Sequence, residues 1–206
     1  MLDTEPLAAR AWGEAAAMLG VDFDMSLAQG MIGRNFADCS VMLRARYVTP
    51  YPVDALLARW HAAYDAIVER EGLALKPGVH ELLDWLEGAA IPRAVATSTR
   101  RDRARAKLAH TALLPRFHEV VGGDEVAFGK PAPDIYVEAA RRLGTSAATC
   151  LVLEDSEPGV RAALAAGMMP IMVPDLTPPS ADLVALDLIV LPTLHDVREH
   201  IAALPP

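Results

Sequence analysis

The sequence predicts an α/β protein in which a doubly wound parallel sheet carries an inserted α-helical lobe. The first observation is that apolar residues recur at helical spacing through the first third of the 206 residues. The second is that short apolar runs alternate with amphipathic stretches from about residue 74 onward. Near-continuous apolar runs of this kind are typical of parallel strands that are covered on both faces.

The predicted helical lobe spans residues 4–73. Thr4 followed by Glu5 and Pro6 has the composition of a helix start, with a capping hydroxyl and a first-turn proline. The stretch 53–71 repeats apolar residues at helical spacing, and glycines and prolines mark turns before it. Residues 1–3, which precede the lobe, are assigned to a loop of the α/β domain.

Five short apolar runs predict the strands of the α/β domain, residues 74–206. They are 93–96, 119–121, 150–153, 171–173 and 188–191. A polar or glycine-containing turn follows each run, and in most cases an amphipathic segment comes next. This alternation predicts the parallel sheet with helices on both faces.

Composition favours an enzyme acting on a small molecule. The chain has 19 Lys and Arg against 27 Asp and Glu, and its net charge of −8 argues against nucleic acid or an anionic membrane as the main partner. No run approaches 18 apolar residues, and no signal peptide is recognisable. The two cysteines, Cys39 and Cys150, are typical of reduced thiols, so we expect a cytoplasmic protein.

The end of the first predicted strand carries hydroxyl groups. The segment AVATST, residues 94–99, ends in Thr97, Ser98 and Thr99. Reactive groups gather at the carboxyl ends of parallel strands, and hydroxyls and backbone N–H groups at such a turn can hold a phosphate. The same residues are also common as plain helix caps, which is the alternative reading.

Two further segments carry charged groups in constrained positions. In GKPAPD, Lys130 stands between Gly and Pro, which suits an ammonium that neutralises a phosphoryl anion, although a surface turn explains the same residues. In LVLEDSEPG, Glu154 and Asp155 directly follow an apolar run, and a hard cation such as Mg²⁺ would compensate such a pair. A helix N-cap accounts for one of these acids but not for both.

Five segments together resemble the haloacid dehalogenase superfamily, in the helical-cap branch that includes β-phosphoglucomutase-like and phosphoglycolate phosphatase-like enzymes. They are LDTEPL (2–7), KPGVHELL (76–83), VATST (95–99), GGDEVAFGKPAPDIY (122–136) and LVLEDSEPGVRAALAAGM (151–168). The resemblance runs over essentially the whole chain. It implies a Rossmann-like core with a helical cap that closes over the substrate and excludes water.

The resemblance also implies roles for single residues. Thr97 would bind the transferring phosphoryl group, and Ser98 would supply a backbone N–H. Lys130 would bridge phosphate and nucleophile, and Glu154 and Asp155 would be the Mg²⁺ ligands. Arg34, in GMIGRNF of the cap, stands where relatives often place a basic residue towards the substrate, but a solvated surface arginine is an equal alternative.

The nucleophile of that family is not found in this sequence. In the family it is the first Asp of an Asp-x-Asp-Gly segment that follows the first core strand and precedes LDTEPL. Asp22 and Asp24 have the right spacing but lack the glycine and the strand, so we expect Asp24 and Ser26 to be loop and cap residues. We expect that Met1 is an internal methionine of a longer chain, because loss of a central strand would leave two inner edges unpaired.

The function expected from these observations is that of a Mg²⁺-dependent phosphatase, a hydrolase of small phosphomonoesters such as sugar phosphates. The intact protein would act through an aspartyl-phosphate. One alternative is a phosphomutase, which Ala8 and Ala9 disfavour because mutases of this branch tend to carry a histidine there. The other is an inactive relative that binds a phosphorylated metabolite without turnover.

Overall fold

The computed structural model describes residues 1–31, 34, 36–175 and 178–204. The chain forms two compact units, one of residues 2–74 and one of residue 1 with residues 75–206. We call them the helical unit and the α/β unit. None of the described helices combines the length and the apolar character that crossing a membrane requires.

Among its described residues, the helical unit forms helices α1 (Glu5–Leu19), α2 (Met25–Gly30), α3 (Phe36–Arg46) and α4 (Val53–Glu71). Helices α1 and α4 pack together along their apolar faces, which the sequence spacing predicts. Trp12 stacks between Phe23 and Trp60, with ring centroids 5.4 and 5.0 Å away. The indole N–H of Trp60 donates to the Ala8 carbonyl at 3.1 Å, so the polar atom of this partly buried ring is satisfied.

Of the two helix caps predicted in this unit, one forms a capping hydrogen bond and the other does not. Asp24 caps α2, because its carboxylate accepts the backbone N–H of Ser26 at 3.1 Å, which confirms the cap role. Thr4 precedes α1 as predicted, but its side chain makes no capping hydrogen bond. Its backbone has helical φ and ψ values of −94° and −23°, whereas a capping residue is normally extended.

The α/β unit alternates strands and helices, with bounds close to those predicted. Its strands are β1 (Ala94–Thr97), β2 (Glu119–Gly122), β3 (Leu151–Glu154), β4 (Met169–Met172) and β5 (Ile189–Val190). Its helices are α5 (Val79–Gly88), α6 (Arg101–His110), α7 (Asp134–Leu143), α8 (Glu157–Ala165), α9 (Ala181–Val184) and α10 (Leu194–Ala202). The strand pairs of the described residues, β1 with β2, β3 with β4 and β4 with β5, are parallel, which confirms the predicted α/β class.

Among the described residues the strands form two sheets, with a break between β1 and β3. The order is β1-β2 in one and β3-β4-β5 in the other. Two unpaired inner edges are expected where the family's first core strand is not found in this sequence. Within the described part of the chain, β1 and β3 each pair with one strand only. Consequently β1 is only half-buried along its length, whereas Val120 and Val121 of β2 are fully buried. Both sheets still share one apolar core, where α7 and α8 pack against β2 and β3.

Candidate active site

The predicted site residues of the α/β unit lie at the carboxyl ends of two strands. Thr97 is the last residue of β1 and Glu154 is the last residue of β3, with Asp155 immediately after it. In register, Thr97 lies opposite Gly122 and Glu154 lies opposite Met172. Parallel pairing places these ends at one edge of each sheet, where sites of α/β proteins form.

The side chain of Lys130 contacts the ends of both strands, β1 and β3. Its ammonium donates to the Ala96 carbonyl of β1 at 3.2 Å and to Oε1 of Glu154 in β3 in a short contact. Lys130 and Glu154 are only 5% and 9% exposed, so this is a buried ion pair. An ammonium has three N–H donors, and the described residues account for two of them.

The carboxylate of Glu154 is held at both oxygens. Oε1 accepts the Tyr136 hydroxyl at 2.5 Å in addition to Lys130, and Oε2 accepts the Ser156 hydroxyl at 2.9 Å and the Ser156 backbone N–H at 3.3 Å. These four bonds match the four lone-pair sites of a carboxylate. A buried charge needs such compensation to stay ionised.

The protonation states follow from these contacts. Burial opposes the charge of Glu154, but Lys130 and the hydroxyl donors outweigh it and hold the pKa of that carboxyl below its usual range. Burial and the charge of Glu154 raise the pKa of Tyr136 well above its ordinary value. Tyr136 therefore remains a hydroxyl donor, and Glu154 remains its anionic acceptor.

The start of α8 is built around this carboxylate. Ser156 is the N-cap of α8, and its hydroxyl accepts the Gly159 backbone N–H at 3.3 Å while donating to Glu154. A Cβ at Gly159 would lie 2.0 Å from Oε2 of Glu154, so no larger residue fits there without moving the carboxylate. The segment EDSEPG thus provides both the N-cap of a helix and the groups that contact the Glu154 carboxylate.

The loop after β1 fits against two glycines at the end of β2. A Cβ at Gly123 would lie 2.5 Å from the Ser98 carbonyl, and a Cβ at Gly122 would lie 2.3 Å from the Arg101 nitrogen. The Thr97 hydroxyl accepts the Thr99 backbone N–H at 3.2 Å. Thr97 and Ser98 are both half-buried, so this hydroxyl turn lies partly open to a ligand.

The first backbone N–H of α6 already has a protein partner. Asp124 accepts the Arg101 N–H at 2.7 Å, which gives α6 an acidic cap from a different segment. Asp124 thus occupies one of the backbone N–H groups that this helix end could offer to a phosphate.

Asp155 differs from its neighbour Glu154 because its side chain is exposed. Even so, the surrounding protein desolvates its carboxyl enough, together with the charge of Glu154, to raise its pKa. The nearby carboxylate of Asp175 forms an ion pair of 2.5 Å with Lys76. Asp155 is thus an exposed carboxyl at this edge, close to the carboxylates of Glu154 and Asp175.

The acid pair fits a magnesium ion only in part. Carboxylate oxygens are the donors that Mg²⁺ prefers, and Asp155 offers them. Glu154 could offer one only by exchanging a bond to Lys130, Tyr136 or Ser156. Across the described ranges, no three His, Cys, Asp or Glu side chains assemble into a group that would hold a metal ion.

Arg34 belongs to the other unit and is exposed. Its Nε donates to the Gly30 carbonyl at 3.1 Å, within its own segment. Its neighbours 32, 33 and 35 in GMIGRNF lie outside the described residues. The role of Arg34 towards a substrate therefore stays a prediction.

Sequence reasoning missed three groups of this site: Tyr136, Ser156 and the pair of Lys76 with Asp175. Ser156 directly follows the acid pair and precedes Glu157-Pro158, a pattern that predicts an N-cap. Asp175 follows β4 and could have been found by the strand-end rule that found Asp155. No local pattern marks Tyr136, because its partner Glu154 is 18 positions away.

The known proteins that this chain resembles include hydrolases and phosphatases. Residues 1–167 match the family of haloacid dehalogenase-like hydrolases. The chain is 34% identical over 177 residues to a bifunctional riboflavin kinase/FMN phosphatase of Arabidopsis thaliana, covering 85% of this chain and 46% of that protein. It is 32% identical over 180 residues to the fructose-1-phosphate phosphatase YqaB of Escherichia coli, covering 82% and 88%.

The fold of this chain is also similar to that of a solved structure. The crystal structure of CbbY from Rhodobacter sphaeroides in complex with phosphate superposes with a TM-score of 0.82 at 27% identity, covering 96% of this chain and 91% of that one. The chain spans 46%, 57% and 61% of the length of three of the curated relatives that it matches.

Proposed function

The chain belongs to the haloacid dehalogenase-like hydrolases, and we propose that it is a Mg²⁺-dependent phosphatase of small phosphomonoesters such as sugar phosphates. The observation that carries this proposal is the position of Lys130. Its ammonium is fixed at the end of β1, one residue from Thr97, and the described part of the chain engages two of its three N–H groups. A fixed cation beside a hydroxyl turn suits a phosphoryl group.

Each residue of the turn has a role in binding the phosphoryl group. Thr97 would donate its hydroxyl, Ser98 would donate its backbone N–H, and Lys130 would neutralise charge on a phosphoryl oxygen. Because Lys130 is buried and its position is set by two acceptors, its charge is available without reorganisation. Two donors from one turn and a cation from another loop would orient the group.

A magnesium ion would be held chiefly by Asp155. It would stabilise the negative charge that develops on the phosphoryl oxygens. Glu154 would join only by giving up one of its four bonds, so we assign it first to Lys130 and second to the cation.

The substrate class rests on relatives and on charge. The relatives named above are phosphatases of FMN and of fructose 1-phosphate, and the CbbY structure holds phosphate. A net charge of −8 argues against long anionic polymers as substrates. Both supports favour a small phosphorylated metabolite, and the cap residue Arg34 is our candidate for contact with the rest of that molecule.

The two cysteines of the chain are typical of a protein in a reducing compartment. Cys39 and Cys150 are both free thiols, and burial raises the pKa of Cys39 to about 11, which keeps that thiol protonated. Free thiols of this kind are typical of cytoplasmic proteins. We propose the cytoplasm as the location.

A second candidate function is phosphate binding without turnover. It is favoured by the sequence itself, because an Asp-x-Asp-Gly segment does not occur in the 206 residues. The aspartyl-phosphate route needs such an aspartate as nucleophile. In this case the residues at the ends of β1 and β3 would bind the phosphoryl group and the reaction would stop there.

One experiment separates the two candidates. The protein, expressed with any coding sequence that precedes Met1, is incubated with Mg²⁺ and a panel of sugar phosphates, FMN and phosphoglycolate, and released phosphate is measured beside calorimetric binding of inorganic phosphate. Release that Thr97→Val lowers at least about tenfold supports the phosphatase. Binding without release supports the second candidate, and neither binding nor release overturns both. Thr111→Val is the matched control, because Thr111 caps the far end of α6.

A further inference from the structure

The cluster of buried polar groups below the proposed phosphate turn includes one residue without an assigned role. Tyr136 lies in the first turn of α7 and is 5% exposed. Its hydroxyl donates to Oε1 of Glu154 at 2.5 Å, the same oxygen that Lys130 contacts. The Lys130 ammonium also lies 5.0 Å from the centre of the Tyr136 ring.

We propose that Tyr136 is a positioning residue that sets the Lys130 ammonium for phosphate through Glu154. The inference rests on the proposed function, since it concerns how the phosphate-binding cation is placed. Two donors share Oε1, so the hydroxyl of Tyr136 takes part of the negative charge that would otherwise act on Lys130 alone.

The geometry explains why the hydroxyl matters. Lys130 must reach both Oε1 and the Ala96 carbonyl of β1 while keeping one N–H for a ligand. Ser156 holds the other oxygen of Glu154, and Gly159 leaves the carboxylate just enough room. Without the Tyr136 hydroxyl, Oε1 has Lys130 as its one donor and draws the ammonium away from the end of β1.

The ring and the hydroxyl of Tyr136 act separately, which makes the proposal testable. The ring packs in the apolar core of α7 and α8 and faces the ammonium. Tyr136→Phe keeps both of these contacts and removes only the hydrogen bond to Glu154. Tyr51→Phe is the matched control, because it also removes one hydroxyl bond, to the Asp22 carbonyl, in the helical unit.

The test uses the full chain and two readouts. The chain contains three lysines, Lys76, Lys107 and Lys130, so the ammonium signal of Lys130 can be assigned in protein labelled with ¹⁵N-lysine. Inorganic phosphate is titrated by calorimetry in the presence of Mg²⁺. We expect Tyr136→Phe to shift the Lys130 signal and to weaken phosphate binding about tenfold, since a hydrogen bond to a charged group is lost.

The Glu154→Gln background separates positioning from general destabilisation. There the charge through which Tyr136 acts is gone, so Tyr136→Phe should change phosphate affinity less than about twofold. An equal effect in both backgrounds, or an unchanged Lys130 signal in Tyr136→Phe, overturns the proposal. If the unsubstituted chain binds no phosphate, the proposed function fails, whereas the Lys130 signal still decides whether Tyr136 positions the ammonium.

Discussion

The interiors of the two units differ in kind. Every residue in the buried cluster of the helical unit is apolar or aromatic, or is the thiol of Cys39. Among the described residues, and leaving aside aromatic side chains, the buried polar and charged side chains are Lys130, Glu154 and Ser156, and all three belong to the α/β unit. One unit is therefore stabilised by packing, and the other accommodates a charge pair that must be satisfied.

This difference points to where function requires a costly arrangement. A buried ion pair contributes little net stability, because the loss of hydration offsets the attraction between the charges. The four bonds of Glu154 offset that loss without an obvious stability gain over an apolar core. The arrangement is thus explained by the position that it gives Lys130, and substitutions can test whether the two interiors respond differently.

The largest effect is expected from breaking the ion pair on one side. Lys130→Met leaves Glu154 buried without its cation and should lower the free energy of unfolding by about 3–5 kcal/mol. Lys130→Met combined with Glu154→Gln should recover most of that loss, because the neutral amide keeps an acceptor for Tyr136. Urea denaturation measures both. Equal losses in the single and the double variant would contradict the view that charge, rather than packing, dominates this interior.

A comparable but different effect is expected in the helical unit. Leu56 is fully buried, so Leu56→Ala should cost about 3 kcal/mol through lost burial and an unfilled cavity. This loss of stability can be measured by following unfolding with tryptophan fluorescence, since Trp12 and Trp60 lie in this unit. Inorganic phosphate affinity should stay unchanged. Val41→Ala on α3 is the control, because Val41 is 67% exposed and its loss should stay within about 0.5 kcal/mol.

The two helix starts offer a finer comparison. Ser156 caps α8 and also donates to Glu154, so Ser156→Ala should lower stability by about 1–2 kcal/mol. Thr4 stands at the same position before α1 but makes no capping bond, so Thr4→Ala should change stability by less than about 0.5 kcal/mol. Thermal denaturation of both variants checks the pair. Equal losses would show that the bond to Glu154 adds nothing to the cap.

These cases show which features a sequence can reveal. Helix α4 follows from the helical spacing of its apolar residues and strand β1 from a short apolar run, because both patterns are local in the chain. The strand-end rule led to Thr97, Glu154 and Asp155, since the rule depends only on where an apolar run stops. Lys130 was recognisable because glycine and proline flank it.

Other features depend on contacts between distant segments. In the sequence, Tyr136 looks like one more residue on an apolar helix face. Its role becomes visible only when its hydrogen-bond partner, Glu154, is known, and that partner is 18 positions away. The same limit explains Asp124, which caps α6 from a position 23 residues away.

The smallest effect is expected at the surface, where the two units are alike. Glu138 on α7 pairs with Arg141 and Arg142, which lower its pKa to about 2, and Glu71 on α4 pairs with Arg10, which also lowers its pKa. A depressed pKa stabilises the fold above the ordinary carboxyl range, and the contribution disappears as the pH falls towards the folded-state value. Exposed pairs contribute little, so Glu138→Gln and Glu71→Gln should each lower Tm by no more than about two degrees at pH 7.

The pH series completes this last comparison. For Glu138→Gln, the difference from the unsubstituted chain should be constant above pH 4.5, the ordinary carboxyl value, and should shrink towards zero near pH 2. Glu71→Gln should behave in the same direction. Glu199→Gln on α10 is the control, because its side chain is 72% exposed and its arginine partner is 3.7 Å away. A loss at Glu138 as large as that of Lys130→Met would mean that surface pairs, and not buried charge, distinguish the α/β unit from the helical unit.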